Sequence, residues 1–537
     1  MAWFDAGVRA VAASRPAKTV RALTWGRALG AMAAAGLTLA GAGAAAAHET
    51  PTGPALTLVE EALDRLGVGR DVRSLATMRT EMRAVAFDLV ENDHPDAPFP
   101  IQDFPAGTVI DDYAGRTQVT LSKSPTGGER RLVLKPVAQI SNTVGQPYAA
   151  APPPPSWETE DPLRALLLAR AAPDLTREPD AARHGAMQHV VAFHNGRFPV
   201  RIFIDTMTGL PTATEVRIVV TDGVAGSVAW NAWGDVVERS EFMLYDLADG
   251  VRYPQQIDVF RNGAHLRAVQ RSNPRFDDPQ DRRLAEISEG PAAKNLDLDH
   301  LAVGQPVGGP PGPARTPHEI APGIIQLPGS WYATLVRQAD GVVVLDAPIA
   351  PGYSQAVLAE AARRFPGAKV KAVVVSTGFF WHVAGVREYA ALGVPIYVRD
   401  RNVPILRALL VAPHTLRPDT LARRRTPVDL RAVSAPITIG KGVNAITVMP
   451  VRYGEQPMVM SWLPDARILH TAEMVQPLGP GGSLLFPEAL HEITLSVAEA
   501  GIPTDGLRII GMHMSPTPWT AVAAALGPAT HQPASAS

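Results

Sequence analysis

The stretch Lys371–Val398, KAVVVSTGFFWHVAGVREYAALGVPIYV, decides the fold. KAVVVS is an almost wholly apolar strand, Val383–Leu392 starts a helix, and VPIYV is a second buried strand. Short apolar runs bounded by Gly and Pro read this way because strands of that length need no polar face. Outward from this unit the rhythm persists. GIIQLPG, YATLVRQ and GVVVLDA precede it as a meander, with an amphipathic helix at Tyr353–Phe365. AITVMPV, MVMSWLPD and ARILHTAEM follow, then a helix over Leu490–Gly501, the strand LRIIGM and a closing helix after Pro518. Strands alternating with helices in both halves predict an α/β layered domain over 318–527.

Upstream the period changes from helical to alternating. AVAFDLV, RTQVTL, RRLVLKPV, MQHVVAFHN and SEFMLYDLADGVRYPQQIDVFRNG are strand-like runs bounded by Pro, Gly and Asp. Only LTLVEEALDRL and DPLRALLLARAA read as helices, the second with Asp161 as N-cap and Pro162 in its first turn. Residues 55–289 are therefore expected to form one large, curved, mainly antiparallel sheet. Residues 290–317 are rich in Pro and Gly, as expected of an interdomain linker. Residues 528–537 read as a disordered tail. The whole is an α+β chain followed by an α/β one.

Composition narrows the function. The 537 residues carry 50 Lys and Arg against 52 Asp and Glu, so no basic footprint invites nucleic acid. With no cysteine, thiolate zinc sites, iron–sulfur clusters and cysteine nucleophiles are excluded, and a metal would need His, Asp or Glu. Residues 1–47 carry Arg9, Arg15, Lys18, Arg21 and Arg27 before an Ala/Gly/Leu stretch, which reads as an export signal. The expectation is a periplasmic or secreted protein with no stable membrane insertion beyond that segment. His184, His189 and His194 recur every five residues, an odd offset that puts strand neighbours on opposite faces and argues against a shared metal. GPGG at Gly479–Gly482 lacks the Lys-Ser/Thr ending of a phosphate loop, and no G-x-S-x-G elbow surrounds a serine.

Four segments carry a resemblance. IAPGIIQLPGSWYATLVRQADGVVVLDAP, ending near Asp346, the stretch from Lys371 to Val398, MSWLPDARILHTAEM and RIIGMHMSP resemble, in order and spacing, the metallo-β-lactamase fold. That resemblance implies an αββα sandwich of two sheets with outer helices. IFIDTMTGLPTATEV and YPQQIDVFRNG are similar to the curved sheets of LolA-like periplasmic lipoprotein carriers, which also precede metallo-β-lactamase domains in some exported bacterial proteins.

The family's metal loop reads Thr-His-x-His-x-Asp-His-x-Gly-Gly. Here the three histidine positions hold Gly378, Phe380 and Val383, and the aspartate position holds His382. The next ligand histidine falls at Gly454, beside Glu455 and Gln456; the bridging aspartate corresponds to Glu473; the last histidine is kept as His513. Gly, Phe and Val offer no lone pair, so the usual dinuclear centre cannot assemble. Phe380 and Trp381 are expected to fill the space that ions and water occupy in relatives. The first expectation is thus a pseudoenzyme with no cofactor that binds a small apolar ligand, with Trp331, Tyr332, Phe379, Phe380, Trp381 and Trp519 read first as core and rim packing and otherwise as the lining of its pocket. The alternative is a divergent metallohydrolase acting on an ester, lactone or lactam, with one zinc at a reduced site of His382, Glu473 and His513. His470 and His491 are more distant candidates.

Overall fold

The computed structural model describes residues 53–89, 97–125, 128–143, 149–151, 153–219, 222–223, 230, 232–284, 296–297, 300–304, 316–327, 329, 331–452, 457–475 and 487–525. The expected export segment, most of the Pro/Gly-rich segment, Gly454–Gln456, Gly479–Gly482 and the tail lie outside these residues.

The N-terminal half is built on a 14-stranded antiparallel sheet. Thr77–Phe87 lies in its middle, with one meander from Ala106 to Ala151 on one side. A second meander runs from Thr176 back to Ala264–Phe276, which pairs with Thr77–Phe87. Turn chemistry sets the hairpins. Asp205 Oδ1 accepts from the backbone N–H groups of Met207 and Thr208, at 3.1 and 2.8 Å. Gly209 takes φ 70°, where side chains are strained, and the chain reverses into Pro211–Val219. Helices Pro54–Leu66 and Pro162–Ala171 lie on this sheet and share its core with Val191, Phe193, Val200, Ile202 and Val216. Asp161 caps the second helix as expected, accepting from Arg164 N–H at 2.9 Å.

The C-terminal half has a seven-stranded and a six-stranded sheet. In the first, antiparallel strands up to Gly341–Leu345 give way to parallel pairing with Val370–Val375, Ile396–Arg399 and Leu430–Val433. Strand periodicity divides their side chains between two layers. Val342, Val344, Val373 and Val375 face helices Pro351–Arg364, Val386–Ala391 and Val403–Val411. Val343, Leu345, Ala372 and Val374 meet Ile446, Val448, Val459, Ile468 and Ile510 of the second sheet. The second sheet's other face packs on Leu490, Ile493, Val497 and Val522 of helices Pro487–Glu499 and Trp519–Ala525. Within the Pro/Gly-rich segment, Leu296–Asp297 pairs with Asp222–Gly223, and Leu301 is buried in the helix-side core.

The halves meet along a polar seam. Asp235 N–H donates to the Pro413 carbonyl at 2.8 Å, and the Asp235 carboxylate accepts from Thr415 N–H and Leu416 N–H, each at 3.0 Å. Phe380, from the C-terminal half, is buried in the core of the N-terminal sheet. Among the described residues no helix is long and apolar enough to cross a membrane.

Candidate metal centre

Parallel strands deliver functional groups at their carboxyl ends, where the chain leaves the sheet. Asp346 follows Leu345, Ser376 follows Val375, His470 ends Ile468–His470 with Glu473 three residues on, and His513 follows Arg508–Ile510. Backbone bonds zip the last two loops together. Met512 N–H donates to Ala472 C=O at 2.8 Å, and Thr471 N–H to Ile510 C=O at 2.9 Å. Gly511 is needed there, because a Cβ would stand 2.5 Å from the Ala472 oxygen. Asp346, Ile349 and Ala472 all take positive φ, at 70°, 74° and 56°. Each such non-glycine residue costs on the order of 1–3 kcal/mol and persists only where its surroundings over-determine it.

These loops bring His382, Glu473 and His513 together. One ligating atom from each lies within 4.8 Å of the others. His382 Nδ1 is 3.1 Å from Glu473 Oε2, and both side chains are buried. The His382 and His513 rings meet at 5.8 Å and 71°. Among the described residues no arginine or lysine pairs with Glu473, and Glu473 Oε1 and His513 Nε2 are buried without a hydrogen-bond partner. Burial, helped by the neighbouring His382 and opposed by Asp346, pushes the His513 pKa down to about 3, so its ring is neutral and keeps a lone pair free. His382 is only 1% exposed.

Asp346 and His470 form a separate buried pair. Ser376 N–H and Oγ–H donate to Asp346 Oδ1 at 2.8 and 2.6 Å. His470 Nε2 lies 3.0 Å from Asp346 Oδ2, while His470 Nδ1 accepts from Ala472 N–H, which places the ring proton on Nε2. The pair ties three strand ends together. Sequence reading quoted Asp346 without a role; its signal was a lone acid closing an apolar strand. His491 is exposed on helix Pro487–Glu499 and does not join the cluster.

The three positions at which the resemblance expects histidines are filled three different ways. Gly378 lies against buried Asn402, whose side chain a Cβ would meet at 2.8 Å. Val383 belongs to the helix-side core. Phe380 does not fill the cleft: it packs on Trp230 at 4.9 Å and Trp233 at 5.1 Å in the other half, correcting the expectation for that ring. Trp381 stacks on Trp331 at 5.1 Å and 18°, and Trp331 stands edge-on to His382 and His513 at 6.3 and 6.2 Å. Phe379 flanks His382 at 6.0 Å. Tyr332 and Trp519 are buried. In the N-terminal half, His184, His189 and His194 each face an acid, Glu241, Asp180 and Asp174 respectively.

No protein-family model matches the chain, and no curated protein sequence matches it. Its weak structural neighbours include the following three. The inverting sec-alkylsulfatase Pisa1 from Pseudomonas sp. is 17% identical with TM-score 0.30, over 38% of this chain and 40% of that one. The match thus spans about two fifths of the alkylsulfatase. A LolA-superfamily protein from Nitrosomonas europaea is 13% identical with TM-score 0.29, over 44% of this chain and 99% of that one. The DIM-1 metallo-β-lactamase is 12% identical with TM-score 0.28, over 39% of this chain and 94% of that one. Likeness this slight carries no activity across.

Proposed function

We propose that this chain is a metallo-β-lactamase-like αββα protein of reduced type, a divergent hydrolase whose single divalent cation is held by His382, Glu473 and His513. One observation carries the reading: a buried carboxylate converges with two imidazoles and, among the described residues, has no arginine or lysine beside it. A buried carboxylate needs a compensating charge, and an unpaired one costs several kcal/mol. The donor set fits a first-row metal. Two imidazoles and a carboxylate suit Zn, Fe(II) or Co(II), and ligands at ~2 Å from one ion lie at most ~4 Å apart, so the 4.8 Å spread needs only a small closure.

A cation bound there would supply Lewis acidity toward a carbonyl or ester oxygen. The chain's own residues set the rest. His513 is neutral at physiological pH and so offers a lone pair without first losing a proton. The Trp331–Trp381 stack stands beside the cluster, with Trp331 edge-on to His382 and His513, and this favours an apolar or flat substrate.

The decisive experiment is metal analysis of chelator-stripped full-length protein after dialysis against zinc. About one zinc per chain is expected, falling well below one in His513→Ala and in Glu473→Gln. Stoichiometry unchanged by both substitutions would overturn the site. No bound cation in the unsubstituted protein would leave the reading of a non-catalytic binder of small apolar ligands. Export is proposed on the basic, Ala/Gly-rich leader, and recovery of a fully cytoplasmic protein would refute it.

A further inference from the structure

Three consecutive residues of the short helix Phe380–Val383 reach three different places. Phe380 enters the core of the N-terminal sheet, Trp381 stacks on Trp331, and His382 reaches Glu473. The Phe380 ring meets Trp230 edge-on at 4.9 Å and 87°, and Trp233 at 5.1 Å. Trp230 is itself held under the Arg261 guanidinium at 4.9 Å. Gly234 follows Trp233 at φ 63° against His414, and Asp235 pins that segment to Thr415 and Leu416. The helix is a single turn with no side-chain cap, so little within it fixes the direction of His382. The Trp381 carbonyl accepts from Ile349 N–H at 2.8 Å on its own side, and Phe380 adds an anchor in the other half of the molecule.

We infer that Phe380 is a positioning residue for the cation site: seated between Trp230 and Trp233, it makes the N-terminal sheet set the aim of His382. The inference rests on the proposed metal reading. A side chain two residues away can act on a ligand because metal affinity depends on ligand orientation, and loss of an orienting partner typically costs about 10–100-fold. The phenyl ring at a vacated ligand position thus has a task of its own, as the hinge pin between the two halves.

Cobalt(II) titration of the full chain, followed by visible absorption, tests this. The unsubstituted protein is expected to give a cobalt spectrum that saturates at one equivalent. Phe380→Ala should weaken cobalt binding by about tenfold or more and alter the band shape, and Phe380→Leu should recover most of both. Trp230→Phe, which keeps a ring and the fold, should produce a smaller loss of the same kind and serves if Phe380→Ala does not fold. Folded Phe380→Ala with unchanged affinity and spectrum would overturn the inference while leaving the site intact, as would an unchanged Trp230→Phe where the alanine variant is unfolded. Absence of any cobalt spectrum in the unsubstituted protein would remove the site and the inference together.

Discussion

The molecule buries carboxylates in two places and treats them in opposite ways. Within the N-terminal sheet, Asp111 accepts from Arg164 at 2.7 Å and Gln118 at 2.8 Å, and pairs with Arg271. Asp161 accepts from Arg164 N–H at 2.9 Å and lies 3.3 Å from Arg271 Nη1. Burial by itself would raise the Asp111 pKa, but Arg271 and Arg164 override it and hold it to about 2. Two acids meet two guanidinium groups, and the charge closes on itself. In the C-terminal half Glu473 faces His382, with neutral His513 beside them and no guanidinium. The first cluster has the contacts of a structural part; the second is where the proposed cation would sit. The difference teaches that burial of charge alone does not mark a candidate site, whereas a buried carboxylate met only by imidazoles does.

The largest expected effect attacks the closed cluster. Arg271→Met leaves Asp111 and Asp161 to share one guanidinium, and breaking a buried pair on one side costs about 3–5 kcal/mol. The measurement is the urea midpoint at unchanged slope. The loss should be the same with zinc or with chelator, and a loss under ~1 kcal/mol would show that the cluster is not structural.

Next in size is the converse test on the open cluster. Zinc at a hundredfold excess over its dissociation constant should stabilise the protein by about 2.7 kcal/mol, because the folded chain binds and the unfolded chain does not. The same addition should leave His513→Ala and Glu473→Gln unmoved in a thermal melt. Equal stabilisation of all three proteins would place the zinc elsewhere and end the contrast between the clusters.

A third test asks whether this chain accepts a histidine where the resembled fold carries one. Gly378→Ala drives a Cβ to 2.8 Å from Asn402, whose Nδ2 donates to the Pro457 carbonyl at 2.6 Å and is not free to withdraw. Overpacking of this kind costs about 1–3 kcal/mol, read as a lower midpoint. Gly378→His should cost more and add no second metal. A stable Gly378→His protein holding two zinc ions would show the dinuclear site to be one substitution deep.

Much of this was legible in the sequence, and the reasons for the gaps are physical. KAVVVS and GVVVLDA announce buried strands because their apolar runs have no polar period to obey, and the parallel core is built from them. The grouping of His382, Glu473 and His513 was expected only from the resemblance to the metallo-β-lactamase fold, and the structure brings the three together. The destination of Phe380 was not legible, since an aromatic residue in a loop carries no record of which neighbour it enters. The buried arginines left a trace that went unread: Arg164 sits within Leu163, Leu166 and Leu167, on the buried side of its helix. A cation on an apolar face implies an acid waiting for it, here Asp111.

The smallest effect concerns protons. In the folded chain without metal, His513 stays neutral down to a pKa of about 3, whereas its ordinary value is 6.5. The unfolded chain therefore takes up a proton on this ring that the folded chain refuses, so stability is lost as pH falls through 6.5 and the loss continues toward the folded value. Between pH 6.5 and 5.5 the contribution is about 1 kcal/mol, since one pKa unit corresponds to about 1.4 kcal/mol. His382, Glu473 and Asp346 face the same pocket, so the test is differential: chemical denaturation at both pH values, on the chelated protein and on His513→Asn. The asparagine variant should lose about 1 kcal/mol less over that interval. Equal losses in both proteins would mean that the His513 ring already carries its proton when folded, and a cluster holding that charge would be as closed as the one around Asp111.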